Sequence, residues 1–152
     1  MVLYACYDSP FGPIRIGYEE ESVVSIRLAD GALTHTPSPV SDLANAQLQE
    51  YFTGSRKTFD FPMAPHGTPF QMAVWRALCE VPYGQVRTYG QIAAAIGNPK
   101  ASRAVGMACN RNPLWIVVPC HRIVGSNRAL TGYAGGLDMK RTLLDLEQAH
   151  PE

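Results

Sequence analysis

Alternation of hydrophobic and polar residues near the N-terminus predicts three β-strands. Residues 2–7 are rich in β-forming residues, residues 14–18 alternate, and residues 23–28 follow an acidic turn. Proline and glycine in residues 9–13 predict the turn between the first two strands. Because each connection is short, we expect an antiparallel sheet in which consecutive strands are neighbours.

Hydrophobic residues at helical spacing predict one helix in the rest of this half. Ser41 suits the N-cap position, the helix is expected to end at about Thr53, and Gly54 is typical of the residue after a helix. Residues 29–39 are expected to form a loop. Residues 1–65 carry no recognisable chemistry, so we expect this half to provide core and support.

A segment rich in proline and glycine, residues 61–67, is the preferred domain boundary. We therefore expect two domains: an N-terminal α/β domain of residues 1–65, and a second domain of residues 66–152. The predicted fold class is α/β (α+β), with a small antiparallel sheet and a helix followed by a mostly helical domain.

Helix start signals recur in the second half. Thr68-Pro69-Phe70-Gln71 has a threonine N-cap, proline at the first helical position and glutamine at the third, which is a capping box. Thr88-Tyr89-Gly90-Gln91 repeats the box and opens a short helix that is expected to close at Gly97. Asn98-Pro99 is predicted to cap a further helix that reaches about Asn110.

Two short helices joined by a tight turn are typical of a helix-turn-helix. The second helix carries Lys100, Arg103 and Arg111 among small residues, which would permit close approach to a nucleic-acid backbone. An ordinary helical hairpin can show the same pattern, so this observation alone leaves both interpretations open.

The candidate nucleophile follows a short apolar run. Residues Trp115–Val118 are predicted to form a buried strand that ends at Pro119, which places Cys120 at its end. The neighbouring His121 and Arg122 favour the thiolate form of this cysteine. A cysteine after an apolar run is more often an inert core residue, so the rest of the chain must decide between these two interpretations.

Beyond this triplet, residues 123–136 are rich in glycine around Tyr133, as in a loop that wraps a flat ligand. A last helix is predicted over residues 137–148. Glu147 lies near its end, where a glutamate is normally a solvated surface charge.

Charge is unevenly distributed along a chain whose formal net charge is zero. Residues 1–65 contain four basic and eight acidic side chains, whereas residues 81–137 contain six basic side chains and no acidic one. A positive field around Cys120 suits a polyanion, although such charges can equally serve to solvate a surface. The basic side chains are Arg87, Lys100, Arg103, Arg111, Arg122 and Arg128.

The four cysteines are scattered without a Cys-x-x-Cys pair, which argues against a disulfide framework or zinc site and favours a reducing, cytoplasmic setting. No apolar run is long enough to span a membrane, and the first residues lack the pattern of a signal peptide. We therefore expect no membrane association and no metal.

Taken together, these motifs resemble the O6-alkylguanine-DNA alkyltransferase family (methylated-DNA–protein-cysteine methyltransferases), from about Thr68 to Glu147. Residues 1–65 fit only loosely, as the variable N-terminal domain. The resemblance implies a ribonuclease-H-like first domain and a winged-helix-like second domain. The motifs that carry it are Arg103-Ala104-Val105-Gly106, Asn112-Pro113, Pro119-Cys120-His121-Arg122, Gly132-Tyr133 with Gly135-Gly136, Lys140, Leu143-Leu144 and Glu147.

The resemblance implies a catalytic role for four residues. Cys120 would take the alkyl group from guanine O6 in an in-line displacement. His121, acting through a water, would remove the thiol proton, and Glu147 would orient that imidazole. Asn112 would brace the segment around the site.

The resemblance also implies a set of DNA contacts. Arg103 would enter the space left by the extruded nucleotide, and Tyr89 would push the neighbouring phosphate. Tyr133 would stack on the guanine, the carbonyls of Cys120 and Ile123 would face its exocyclic amine, and the amide of Ala134 would face O6. Arg122 is grouped with these DNA-binding residues.

Two positions depart from the family pattern or bear on specificity. Ala134 stands where many members carry a serine, so a backbone donor remains but the hydroxyl is lost. Trp115 lies five residues before Cys120, and we hypothesise that its ring narrows the pocket and slows reaction with O6-benzylguanine. Some members bind zinc in the first domain, but Cys6 is the only cysteine before Cys79, so we expect no zinc.

The leading interpretation is direct repair of double-stranded DNA containing O6-alkylguanine, by stoichiometric and irreversible transfer of the alkyl group to Cys120. The thioether product is not cleaved by water, so a monomer without a cofactor would act once. One alternative is a protein that flips and flags alkylated bases without chemistry. A second is a thiol hydrolase using Cys120 and His121, which leaves the arginine-bearing helix and glycine loop unexplained.

Overall fold

The computed structural model describes residues 1–31, 34–127 and 129–150. The chain divides into two compact units, Met1–His66 and Gly67–Glu152. Within the described part of the chain, every helix is too short or too polar to cross a membrane.

Unit 1 contains the antiparallel sheet that the alternation predicted. Its strands are β1 (Leu3–Tyr7), β2 (Ile14–Glu19) and β3 (Ser22–Leu28), and they pair in the order β1-β2-β3. Gly17 in the central strand lies in a crowded position, because a Cβ there would force the Ser25 hydroxyl to move and would stand 3.0 Å from the Tyr4 ring. The buried side of the sheet includes Ile14, Ile16, Tyr18, Val23, Val24 and Ile26.

Helix α1 covers Pro39–Phe52 and begins earlier than predicted. Ser38 is the N-cap, and Ser41 is the third helical residue, whose hydroxyl accepts a hydrogen bond from the Ser38 amide at 2.9 Å. The prediction of Ser41 as the cap was wrong because two serines three residues apart form a reciprocal capping box, and proline at the first helical position fixes the register. Of the predicted loop, residues 32 and 33 lie outside the described residues.

The segment rich in proline and glycine extends the sheet of unit 1. The Val23 amide donates to the Pro62 carbonyl at 3.0 Å, and the Ala64 amide donates to the Val23 carbonyl at 2.8 Å. Met63 thereby forms a parallel bridge with Val23, and Phe61 is buried. Residues 61–64 are therefore part of a packed structure, and the prolines do not make them a free linker.

Unit 2 is mostly helical, as predicted. Its helices are α2 (Pro69–Cys79), α3 (Tyr89–Ala95), α4 (Ser102–Asn110) and α5 (Leu137–Ala149). Both predicted capping boxes are present, at the starts of α2 and α3. Helices α3 and α4 pack together as the predicted helix-turn-helix, and Trp75 of α2 donates its indole N–H to the Ala108 carbonyl of α4 at 2.9 Å.

Two predictions in this unit were wrong. Helix α4 begins at Ser102 with Ala101 as its N-cap, because Asn98 instead accepts the Ala101 amide in a turn. Residues 115–118 are buried in part but form no strand. Ile116 has a left-handed backbone with φ of 76°, and the Val118 amide donates back to the Leu114 carbonyl at 3.0 Å, so the run folds on itself.

A small parallel ladder that the sequence did not indicate connects the helix-turn-helix to the candidate nucleophile. Strand β4 (Arg87–Thr88) pairs with β5 (Ile123–Val124). Strand β4 ends where α3 begins, and β5 follows the 3-10 helix Cys120–Arg122 directly. The ladder therefore holds the start of α3 beside the segment that carries the cysteine.

The α2 capping box offers a test of this architecture. Thr68 accepts the Gln71 amide at 3.1 Å, and the Gln71 side chain accepts the Thr68 amide at 2.9 Å. Replacing Thr68 with alanine removes one partner, so we expect Thr68→Ala to lower the free energy of unfolding by about 1 kcal/mol in urea titrations. Thr68→Ser, which keeps the hydroxyl, is the matched control; equal losses in both variants would contradict a capping role.

Candidate active site

Asn112 organises the turn that leads to Cys120. Its side-chain amide donates to the Val118 carbonyl at 2.9 Å, and its side-chain oxygen accepts the Leu114 amide at 2.9 Å. These bonds satisfy buried backbone groups that a sheet partner would otherwise satisfy. The closed turn then delivers Cys120 to the start of the 3-10 helix, where its side chain is only 5% exposed.

His121 and Glu147 form a buried pair behind the cysteine. The His121 Nε2 and Glu147 Oε2 atoms are 2.6 Å apart, and both side chains are fully buried. The other ring nitrogen, Nδ1, is buried and has no hydrogen-bond partner among the described residues. A buried imidazole oriented by a carboxylate on one nitrogen keeps its second nitrogen available for proton transfer.

Arg122 compensates the charge of Glu147. Its Nε donates to Glu147 Oε1 at 2.9 Å and its Nη2 donates to Oε2 at 3.0 Å, so the pair is bidentate. The third guanidinium nitrogen donates to the Val81 carbonyl at 2.8 Å, and the Gly84 amide donates to Glu147 Oε1 at 3.0 Å. Arg122 was grouped with the DNA-binding residues, but its buried guanidinium lies in this network because the carboxylate at Glu147 requires a cation.

Titration behaviour follows from this burial. Burial alone would raise the pKa of Glu147, but hydrogen bonds from His121 and Arg122 hold it well below its usual range, so the carboxylate is ionised at neutral pH. Burial lowers the pKa of His121 despite the opposing effect of Glu147, so the imidazole is neutral and able to accept a proton.

Cys120 behaves differently from the expectation that its neighbours favour a thiolate. Burial and a side-chain hydrogen bond with Cys109 raise the pKa of Cys120 well above its ordinary value, while Asn112 and Lys140 act in the opposite direction. The sequence-based expectation was wrong because the Arg122 guanidinium faces Glu147 and does not compensate the buried sulfur. Cys120 therefore rests as a neutral thiol, and any reaction through its thiolate would need a base.

A second part of the site is the loop before α5. Tyr133 is half-buried with a hydroxyl that has no hydrogen-bond partner among the described residues, and its ring lies 6.3 Å from that of Trp115 at an angle of 50°. Lys140 donates from Nζ to the Thr131 and Gly132 carbonyls at 2.7 and 3.3 Å. This buried lysine holds the loop in place.

Neighbouring residues complete the loop and its base. Ile123 is fully buried in β5, whereas Ala134 is exposed. A Cβ at Gly135 would stand 3.0 Å from the Tyr133 ring and would force the Met139 side chain to move, so the loop is closely packed at this position. The loop therefore presents backbone groups and one aromatic ring on the same unit as Cys120.

Tyr89 and Arg103 lie on the helix-turn-helix. The Tyr89 hydroxyl donates to the Thr131 carbonyl at 3.2 Å, and its ring lies beside Gly106, where a Cβ would stand 3.6 Å away. Arg103 is exposed in the first turn of α4, and Lys100 and Arg111 are exposed at either end of that helix. Arg128 of the predicted basic stretch lies outside the described residues.

Three residues of the site were not assigned a role from the sequence. Lys140 belonged to a motif but its burial at the loop was unforeseen, Cys109 is buried in the last turn of α4, and Gly84 supplies a backbone donor to Glu147. For these three residues the sequence offered one signal: Lys140 has the spacing of a residue on the buried side of α5. Within the described ranges, no group of three or more His, Cys, Asp or Glu side chains is placed to hold a metal ion.

Family models match both halves of the chain. The model of the 6-O-methylguanine DNA methyltransferase DNA binding domain matches residues 69–149, and that of the ribonuclease-like domain of the same protein matches residues 2–65. The ribonuclease-like description agrees with the fold expected for the first domain.

Individual relatives cover nearly the whole chain. A methylated-DNA–protein-cysteine methyltransferase of Methanosarcina acetivorans is 52% identical over 151 residues, which is 95% of this chain and 97% of the relative. The crystal structure of Mycobacterium tuberculosis O6-methylguanine methyltransferase superposes with a TM-score of 0.90 at 42% identity, covering 100% of this chain and 96% of that one.

A further structure of the mycobacterial protein, in complex with DNA, matches with a TM-score of 0.89 at 43% identity, over 97% of this chain and 93% of that chain. Matching models for both halves, relatives over nearly the full length and a common fold confirm the resemblance seen in the sequence motifs. The chain therefore belongs to the 6-O-methylguanine DNA methyltransferase family.

Proposed function

We propose that this protein repairs O6-alkylguanine in double-stranded DNA by transferring the alkyl group, once and irreversibly, to Cys120. The observation that carries the proposal is the buried relay behind this thiol: Glu147 binds Nε2 of His121 at 2.6 Å, while Nδ1 has no partner among the described residues. The family of the chain and the names of its relatives support the same activity.

The transfer is a displacement at the alkyl carbon. His121, acting through a water, accepts the thiol proton, which suits a neutral imidazole, and Glu147 stabilises the resulting imidazolium. Cys120 Sγ then bonds to the alkyl carbon as the carbon–O6 bond breaks, and the electron pair stays on the guanine. The departing base takes up a proton. The protein retains the alkyl group as a thioether, which water does not cleave.

Guanine binding is assigned to the loop before α5 and to β5. Tyr133 would stack on the extruded base, the carbonyls of Cys120 and Ile123 would accept from its exocyclic amine, and the exposed Ala134 amide would donate to O6. Lys140 supports this assignment because it fixes the loop through two carbonyls, which leaves the backbone donors preorganised.

The DNA-facing surface is assigned to α3 and α4. Arg103, exposed in the first turn of α4, would fill the gap left by the target nucleotide, and Tyr89 would displace the neighbouring phosphate. The residues beside Arg103 on α4 are small. Ala104 and Gly106 would let the helix approach a nucleic-acid backbone closely. The structure of the mycobacterial relative with DNA supports this type of partner.

We infer that the protein acts as a monomer in the cytoplasm, with residues 1–65 as support and 66–152 as the DNA-binding and alkyl-acceptor domain. The scattered spacing of its four cysteines, without a Cys-x-x-Cys pair, favours a reducing compartment. All the residues assigned to the reaction belong to the second of these domains.

The proposal predicts one methyl group per protein. After incubation with a duplex that contains one O6-methylguanine, mass spectrometry of the tryptic peptide Asn112–Arg122 is expected to show a single methyl on Cys120, saturating at a one-to-one ratio. Cys120→Ser is expected to show none, and Cys79→Ser, which alters an exposed cysteine, is expected to behave as the wild type.

Other results would favour the alternatives. Tight binding to the lesion without methylation would indicate a protein that flags alkylated bases. Repeated turnover of small esters by Cys120 would indicate a hydrolase.

The relay predicts a distinctive pH profile for Glu147→Gln. Without the carboxylate the imidazolium loses its stabilisation, so we expect the single-turnover rate at neutral pH to fall by about 10²- to 10⁴-fold. Glu147 raises the pKa of His121. Removing the carboxylate therefore lowers that pKa and moves the acidic limb of the pH–rate profile to lower pH. Rates are measured by quenched-flow transfer from a methylated oligonucleotide.

Asp145→Asn makes the same carboxylate-to-amide change at an exposed position of α5 and serves as the control. We expect its plateau and acidic limb to match the wild type. A Glu147→Gln variant with the wild-type profile would refute the positioning role of Glu147.

Trp115 is proposed to limit the size of the alkyl group, because its ring lies beside Tyr133. Trp115→Ala is expected to raise the rate with O6-benzylguanine relative to O6-methylguanine by about 10- to 200-fold, the range that a change of one methylene in a hydrophobic pocket provides. Trp115→Phe keeps an aromatic ring and is expected to change this ratio less. An unchanged ratio in Trp115→Ala, measured by competition, would exclude this role.

A further inference from the structure

Thr131 connects two parts of the candidate site that lie on different elements. It is an exposed residue of the loop before α5, and it forms two hydrogen bonds with Tyr89 at the start of α3. The Tyr89 hydroxyl donates to the Thr131 carbonyl at 3.2 Å, and the Thr131 hydroxyl donates to the Tyr89 hydroxyl oxygen at 3.2 Å. The two residues are 42 positions apart, so this contact joins the loop to the helix-turn-helix through tertiary structure.

Both partners of this contact are held in place by other residues. The Thr131 carbonyl that accepts from Tyr89 also accepts from Nζ of the buried Lys140 at 2.7 Å. The Tyr89 ring lies against the backbone of α4, since a Cβ at Gly106 would stand 3.6 Å from it. The phenol is therefore restrained both at its hydroxyl and along its ring.

The effect of Thr131 on the ionisation of Tyr89 agrees with a hydroxyl that donates. Burial raises the pKa of Tyr89, and the side-chain hydrogen bond from Thr131 opposes that rise. A donor to the phenol oxygen has this effect because it stabilises the phenolate. Serine can supply the same donor, whereas valine, which has nearly the shape of threonine, has no hydroxyl.

We propose that Thr131 is a positioning residue for Tyr89, and that it fixes the phenol ring in place for extrusion of the target nucleotide before DNA binds. This inference rests on the proposed function, in which Tyr89 displaces the phosphate beside the alkylated guanine. Thr131 itself takes no part in the displacement at the alkyl carbon.

The advantage of this contact is preorganisation. A tyrosine side chain that can rotate freely loses that freedom when it meets DNA, and the lost entropy opposes extrusion of the nucleotide. With its hydroxyl bound to Thr131, the Tyr89 ring already has a fixed orientation in the free protein. Because Thr131 belongs to the loop assigned to guanine binding, the contact also fixes the ring relative to that loop.

Extrusion from a duplex is the step that this positioning affects. A base in a duplex must be unpaired and unstacked before it enters the site, whereas a base in single-stranded DNA has no pairing to break. Loss of the Thr131 hydroxyl is therefore expected to slow alkyl transfer from duplex DNA more than transfer from single-stranded DNA. A general loss of protein stability would slow both reactions alike.

Thr131→Val removes the hydroxyl and tests this expectation. The measured quantity is the single-turnover rate with a duplex that contains one O6-methylguanine, divided by the rate with the same strand alone. We expect this ratio to fall by about 2- to 10-fold, the effect of one hydrogen bond. Thr131→Ser is expected to keep the wild-type ratio, as is Thr142→Val, the matched control, whose hydroxyl donates within α5 to the Asp138 carbonyl at 2.9 Å.

A double-mutant cycle shows whether the effect of Thr131 passes through Tyr89. Tyr89→Phe removes both hydrogen bonds and is expected to lower the ratio at least as much as Thr131→Val does. When Tyr89→Phe is already present, Thr131→Val is expected to cause no further change.

The contact itself can be measured without DNA. In protein that is isotopically labelled at tyrosine Cζ, the NMR resonance of Tyr89 is identified by its loss in Tyr89→Phe. We expect this resonance to move in Thr131→Val and to keep its wild-type position in Thr131→Ser and Thr142→Val.

Several results would overturn the proposal. These are an equal loss of rate with both forms of DNA, additive losses in the double variant, or a Tyr89 resonance that stays in place in Thr131→Val. Faster transfer from duplex DNA in Thr131→Val would also overturn it, because the hydrogen bonds would then restrain Tyr89 against extrusion. A moved resonance in a protein that takes no methyl group from either form of DNA would reject the proposed function itself, whereas transfer with an unchanged ratio would reject this inference alone.

Discussion

Glu147 brings a full negative charge into the interior of unit 2, and much of the site is arranged to compensate it. An unpaired buried carboxylate is costly, and removing one partner of such a pair typically costs about 3–5 kcal/mol. Here the two oxygens are bound by the guanidinium of Arg122, the ring of His121 and the Gly84 amide. The carboxylate therefore joins α5, the 3-10 helix and the segment after α2 through one side chain.

His121 and Arg122 are adjacent in the sequence but meet Glu147 in different ways. Arg122 neutralises Glu147, which leaves the His121–Glu147 contact free to orient the ring without placing an uncompensated charge beside the thiol. Under the proposed function, Cys120 rests as a neutral thiol and loses its proton to His121 only when a substrate is in place. A buried, protonated sulfur is also less exposed to adventitious electrophiles.

Much of the architecture was predictable because the local signals agree with the tertiary structure. The capping boxes at Thr68 and Thr88 define helix starts, and the alternation of β2 defines the sheet. The site was less accessible to sequence reasoning, since Glu147 has the spacing of an ordinary surface residue and only family motifs indicated its burial. Lys140 is buried and binds the loop before α5 through tertiary packing, which no local pattern encodes.

The segment Leu114–Val118 illustrates the opposite case, in which local preference and final structure conflict. Its composition favours an extended strand, but Asn112 folds it into a turn with Ile116 in a left-handed conformation, which costs about 1–3 kcal/mol. Until that turn closes, a newly synthesised chain exposes five uncharged, apolar residues, four of which have high β-propensity. Pro113 and Pro119 flank the run, limit its length and withhold backbone donors, so they act as gatekeepers against intermolecular β-aggregation while the protein folds.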